Sequence, residues 1–78
     1  MMGPLLSDLK IRETGTIESY VGESSIQCRL KELGLVAGTK VKVKRFAPLG
    51  DPMEIEIRGY NLSIRKEDAK QIIVRRGS

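Results

Sequence analysis

Residues 40–46 (KVKVKRF) and 53–58 (MEIEIR) constrain the fold most tightly, because both alternate apolar with charged residues. One stretch carries lysines, the other glutamates. Alternation with a period of two marks a half-buried β-strand. Pairing Val43 with Ile55 and Val41 with Ile57 puts the aliphatic side chains on one face. The same register sets Lys42 opposite Glu56 and Lys44 opposite Glu54 on the other face, each pair contributing about 0.2–1 kcal/mol. A slip of one residue would turn every aliphatic side chain to water. Two independent patterns therefore select one antiparallel hairpin, with its loop on residues 47 to 51.

The neighbouring stretches extend it. RGYN (58–61) predicts a two-residue turn with Gly59 at the positive-φ position of a type II′ hairpin. NLSIR (61–65) then returns with Leu62 against Ile57 and Ile64 against Ile55. KEDAKQ (66–71) is long enough for a single helical turn, and IIVRR (72–76) reads as a final strand. Near the start, GTIESYVG (15–22) is a strand between glycines, with Ile17 and one of Tyr20 or Val21 turned inward. SSIQCRLKELGL (24–35) is the one clear helix. Ser24 and Gln27 have capping-box spacing, and Ile26, Leu30 and Leu33 share a face. Gly34 suits the left-handed residue that ends a helix, with Leu35 folding back on Leu30. Closing five short strands on themselves is the economical way for 78 residues to make a core and lose sticky edges. The predicted fold is mainly β: a small SH3-like five-stranded barrel with one inserted α-helix, a single domain over 1–78.

The residue inventory narrows the chemistry. There is no histidine, which removes the commonest general base and the commonest transition-metal ligand. Cys28 is the only cysteine, so no intrachain disulfide forms, and it reads as a half-exposed, inert thiol. Glu54 and Glu56 share a strand face like a carboxylate pair, but facing lysines make them an ion-pair ladder. GLVAG lacks the lysine and the strand-to-helix setting of a phosphate loop. The chain reads as a non-enzyme.

No apolar run approaches the ~20 residues that span a bilayer, and MMGPLLSDLK lacks a basic leader, so a cytoplasmic address and no membrane insertion are expected. The formal charge of +4 leaves nucleic acid as an alternative partner, since small barrels bind single strands with a basic groove and aromatics. The uncompensated cations would be Arg58, Arg65, Lys66, Lys70, Arg75 and Arg76. Only Tyr20, Phe46 and Tyr60 supply aromatic surface, so a solvated basic face is preferred and no nucleic acid is expected.

APLGDP (47–52) is stiffer than a connecting turn requires. Pro48 and Pro52 fix φ and remove two donors, so little entropy is lost when a partner binds. Leu49 at the tip, between proline and Gly50-Asp51, is a candidate apolar anchor. The competing reading has Phe46, Leu49 and Met53 capping one barrel end together. Arg29, at the margin of the helix stripe, is either part of a second surface or a brace on the backbone carbonyls around Gly34.

RLKELGLVAG (29–38), APLGDP (47–52), IRGYNLSIRKEDA (57–69) and the closing IIV together resemble the FeoA family, the small cytosolic component of ferrous iron uptake systems. The matching positions are Arg29, Leu30, Leu33, Gly34, Leu35 and Gly38, then Pro48, Gly50, Asp51 and Pro52, then Gly59, Arg65, Ala69 and Ile72. The family often has proline where this chain has Ala37, and favours Pro-Gly where it has Ile11-Arg12. The resemblance implies a non-enzymatic protein with no cofactor and no iron site of its own. Fe²⁺ would be the transported ion of the system rather than a ligand of this chain. The implied partner is FeoB, the membrane transporter with a GTPase domain, contacted through its cytosolic part. A weak homo-oligomer is compatible with this reading.

Overall fold

In the computed structural model, which describes residues 3–77, five strands form one antiparallel sheet in the order β4-β3-β2-β1-β5. They are β1 (Thr14–Tyr20), β2 (Lys40–Phe46), β3 (Met53–Ile57), β4 (Tyr60–Ile64) and β5 (Ile72–Arg76). Helix α1 (Ser25–Glu32) is inserted between β1 and β2, and the single turn α2 (Lys66–Ala69) links β4 to β5. The inward faces supply Ile17, Val41, Val43, Met53, Ile55, Ile57, Ile64, Ile72 and Val74 to one core, as the alternation predicts.

The β2–β3 hairpin has the expected aliphatic pairs, Val41 with Ile57 and Val43 with Ile55. Beyond Val43 the register shifts, so Arg45 rather than Lys44 stands opposite Glu54. Arg45 bonds Glu54 at 2.7 Å, and Lys44 reaches diagonally to Glu56 at 3.5 Å. The bulge has a backbone cause. Val43 turns its amide and carbonyl to the β1 side, accepting from Arg12 N at 2.8 Å and donating to Glu13 O at 3.0 Å. An extra residue here bends β2 and lets it serve two neighbours.

The β3–β4 turn also differs from expectation. Ile57 pairs with Tyr60, and the central residues are Arg58 (φ 47°) and Gly59 (φ 86°), so the turn is type I′ rather than II′. Leu62 consequently faces Ile55, and Ile64 faces Met53. The shift of two positions keeps every side chain on its intended face. A left-handed arginine costs about 1–2 kcal/mol, offset by a turn whose twist matches its strands and by the extra Met53–Ile64 rung.

Helix α1 ends as predicted. Gly34 takes φ 105°, its N–H bonds the Lys31 carbonyl at 3.0 Å, and Leu35 N bonds Leu30 O at 3.1 Å. Leu30 and Leu35 are both buried, whereas Leu33 is 37% exposed and Gln27 takes the inward position instead. No side-chain cap forms at Ser24. Its hydroxyl donates to Gln71 Oε1 at 2.7 Å, and Gln27 Nε2 donates to the same oxygen and to Val21 O, both at 3.0 Å. The two residues of the expected capping box thus tether the helix start to the segment before β5.

The N-terminal segment completes the core. A short 3-10 turn at Leu6–Asp8 buries Leu6 and Leu9 fully. Gly15 makes room for them: a Cβ there would lie 3.2 Å from Leu9 Cδ1 and 3.2 Å from Val74 Cβ. Residues before the turn also cover the outer edge of β5, through a Leu5–Ile73 bridge and a Val74 N to Pro4 O bond of 2.9 Å.

Two four-residue turns share a geometry. Lys10–Glu13 closes with Glu13 N to Lys10 O at 2.9 Å and Val36–Thr39 with Thr39 N to Val36 O at 3.1 Å. Each has positive φ only at its third residue, Arg12 (74°) and Gly38 (91°), the signature of type II turns. Ile11 and Ala37 occupy the second position, where proline is preferred and where neither amide makes a hydrogen bond among the described residues. Ile11→Pro and Ala37→Pro are each expected to raise unfolding free energy by about 0.4–1 kcal/mol, read as a higher urea midpoint at unchanged slope.

Candidate functional site

The loop after β2 is held from three sides. Ala47 N donates to Pro52 O at 2.9 Å and Gly50 N to Ala47 O at 2.7 Å, closing a turn over Pro48 and Leu49. Gly50 takes φ 89°, and the Asp51–Pro52 peptide is cis. Asp51 Oδ1 then accepts from Lys66 N at 2.9 Å, satisfying a free donor at the start of α2. The Lys66 side chain returns across the loop base, its Nζ 5.0 Å from the centre of the Phe46 ring.

This clamp leaves Leu49 96% exposed at the tip, while Met53 is fully buried and Phe46 half-buried. The barrel end is therefore capped by Phe46 and Met53 without Leu49, and the reading that tucks all three together is corrected. Pro48 and Pro52 line an open groove of about 450 Å³ beneath the tip, with Phe46, the Arg45–Glu54 pair and Ser63. An exposed leucine over a groove walled by proline and phenylalanine can insert into a partner while its own rim receives a side chain in return.

A second groove, about 370 Å³, lies between the end of β1 and α1, lined among others by Tyr20, Gln27, Lys31 and Val36. Tyr20 Oη donates to Leu35 O at 2.7 Å, and Lys31 Nζ stands 5.1 Å from its ring centre. Burial pushes the Tyr20 phenol up to about 12.

Arg29 belongs to neither groove. It is exposed on α1, and among the described residues its guanidinium makes no hydrogen bond or ion pair, so it does not brace the Gly34 turn. Other residues do that work. Thr39 Oγ1 donates to Gly34 O at 3.1 Å, Arg58 reaches Thr39 at 3.5 Å, and the Tyr60 hydroxyl donates to Leu33 O. Gly34, Gly38 and Gly59 take the positive φ their turns need, Leu30 is core, and Arg65 is exposed beside Glu67. Lys66, whose backbone and side chain both clamp the loop, carried no distinguishing signal in the sequence.

Of the six cations read as uncompensated, three face a carboxylate among the described residues. Arg75 faces Glu18 at 3.9 Å, Arg76 faces Glu13 at 3.8 Å and Arg65 faces Glu67 at 3.8 Å, while Arg58 and Lys66 are engaged as described. These exposed pairs contribute little stability.

Residues 5–76 match the FeoA domain. A curated relative, the Fe(2+) transport protein A/Fe(2+) transporter FeoB fusion protein of Porphyromonas gingivalis, is 38% identical over 69 residues. That match takes in 88% of this chain but only 8% of the relative's length. The solution structure of the FeoA protein from Chlorobium tepidum is 41% identical, with a TM-score of 0.88 over 96% of this chain and 71% of that one. The zinc-complexed crystal structure of Stenotrophomonas maltophilia FeoA, described as a procaryotic SH3 domain protein, is 28% identical. It aligns with a TM-score of 0.80 over 92% of this chain and 89% of that one, consistent with the SH3-like architecture.

Two outcomes follow from this geometry. Asp51→Ala should cost about 1 kcal/mol and speed amide exchange at Lys66, measured by urea unfolding and hydrogen exchange. Tyr20 should ionise near pH 12 by ultraviolet titration, and Tyr20→Phe should remove that late step. Since the fold holds the phenol protonated, its contribution is whole below pH 10.0 and is lost as pH climbs toward 12.

Proposed function

The chain belongs to the FeoA family, whose members are non-enzymatic accessory proteins, and from that premise we propose that it serves ferrous iron uptake by docking its 47–52 loop on the cytosolic part of a FeoB-type transporter. One observation carries the choice of surface: Leu49 is 96% exposed on a loop fixed by the Ala47–Pro52, Gly50–Ala47 and Lys66–Asp51 hydrogen bonds and by two prolines. A preordered apolar tip binds without the ordering cost that a mobile loop would meet. The relative in which both functions share one polypeptide supports the choice of partner, because fusion keeps a weakly binding module at high effective concentration.

In this reading the protein works from the cytoplasm and Fe²⁺ remains the transporter's cargo. No helix among the described residues is long and apolar enough to cross a membrane. Among the described residues no group of three or more acidic or cysteine side chains gathers as a metal set. Pro48, Gly50, Asp51 and Pro52 act by holding Leu49 in place, and Arg29 on α1 lies outside the docking surface.

Titrating the labelled protein with the transporter's GTPase domain should shift amides of residues 47–52. Leu49→Asp should weaken that binding at least tenfold, about 1.4 kcal/mol, while changing stability by less than about 0.5 kcal/mol. Shifts centred on residues 26–35 with Leu49→Asp unaltered would move the docking face to α1. Binding to nucleic acid that falls steeply with salt would replace the partner class altogether.

A further inference from the structure

The two outer edges of the sheet are treated differently. The edge of β5 is covered by residues 4 and 5. Among the described residues no backbone group bonds to the outer edge of β4. The direction of its backbone groups follows from the ladder: Ala47 N bonds Pro52 O, so Pro52, Glu54 and Glu56 point toward β2, and Met53, Ile55 and Ile57 toward β4. Their partners Tyr60, Leu62 and Ile64 are thereby satisfied. Asn61 and Ser63 turn their N–H and C=O groups outward, and both residues are exposed.

An edge of this kind is normally blunted by lysine, proline, a bulge or a covering segment. YNLSI (60–64) has none of the first three, and no charged residue. We propose that β4 is a self-pairing edge, and that two copies of this chain associate through an antiparallel β4–β4 ladder about a two-fold axis at Leu62. The occupant follows from self-complementarity. The outward groups are two residues placed symmetrically about Leu62, so the axis sets Asn61 against the second copy's Ser63 and the reverse. All four outward groups are then satisfied.

The flanking positions agree. Leu62 meets its own copy, and Tyr60, 45% exposed, is set opposite the second copy's Ile64 on the same face. These are the closely spaced rungs; Ile64 is already buried in its own core, so the apolar contact comes from Leu62 and Tyr60. On the other face neutral Asn61 and Ser63 meet within the ladder, and like charges, Arg58 and Lys66 of the second copy, come opposite only beyond its ends. The contact is confined to one five-residue strand and belongs with small, weak interfaces. It does not use Leu49, although Ser63 also lines the groove beside the loop.

The test is sedimentation equilibrium up to millimolar protein, with amide shifts followed over the same range. The wild type should dimerise reversibly, with concentration-dependent shifts at Asn61 and Ser63 and none at β5. Asn61→Lys/Ser63→Lys sets lysine against lysine twice and should weaken association about fivefold or more. Asn61→Lys/Ser63→Glu sets lysine against glutamate twice and should restore or tighten it by a similar factor. Both variants change exposed side chains, but Glu54 and Glu56 stand opposite positions 63 and 61 in the same sheet, so urea unfolding and amide spectra of each monomer are compared with the wild type before association is read. A monomer at millimolar concentration overturns the proposal, as does a dimer indifferent to both variants. Shifts at Asn61 and Ser63 that arise only with the transporter's GTPase domain also overturn it, assigning the edge to a strand of that partner.

Discussion

The close approach at Gly15 is the constraint on which the closed core depends. The sheet order leaves β4 and β5 at opposite ends, with no ladder joining them, so hydrogen bonds alone do not close the barrel. Closure is finished by the N-terminal segment, which drives Leu6 and Leu9 into the interior and pairs with β5. That packing requires β1 to pass where a Cβ would meet Leu9 and Val74 at 3.2 Å. Contact at that distance forces a neighbour to move, and a packed interior transmits such a shift. One absent methyl group on β1 thus lets fourteen buried apolar residues behave as a single core.

The parts of the fold legible in the sequence were those governed by period. Val41, Val43, Ile55 and Ile57 alternate with charges of opposite sign, so facing and register came together. Leu30, Gly34 and Leu35 spell a helix end whose geometry needs a left-handed residue, and only glycine adopts it freely. The misses were tertiary. Nothing local marks Lys44 as the bulge, because the cause is the bonding of Val43 to Arg12 and Glu13 in the turn before β1. Ser24 and Gln27 have the spacing of a local cap, yet both donate to Gln71, 47 positions on from Ser24. Leu6 and Leu9 lie in too short a segment to show a period.

The candidate site divides the same way. Stiffness of the loop was readable from Pro48, Gly50 and Pro52, since those residues restrict or require particular φ values wherever they stand. Its orientation was not, because that is set by Asp51 bonding Lys66 N and by Lys66 lying over Phe46. The sequence therefore left open whether Leu49 faced the core or water. With Met53 filling the interior there is no space for a second side chain, and the clamp from α2 turns the tip outward. Arg29 shows the reverse: a residue singled out on its margin position has no side-chain partner among the described residues, and the turn at Gly34 is held by Thr39 and Tyr60.

Order at the loop has an energetic consequence beyond its shape. Fixing one residue's backbone costs about 1–2 kcal/mol, so a free six-residue loop would forfeit several kcal/mol on docking. Here that cost is met during folding, by two bonds within the loop and one that ties it to α2. A single exposed leucine contributes only about 1.5–3 kcal/mol when buried in a partner. On a mobile loop that gain would be cancelled by ordering. On this one most of it remains, and this is why so small a protein can present one residue as a binding surface.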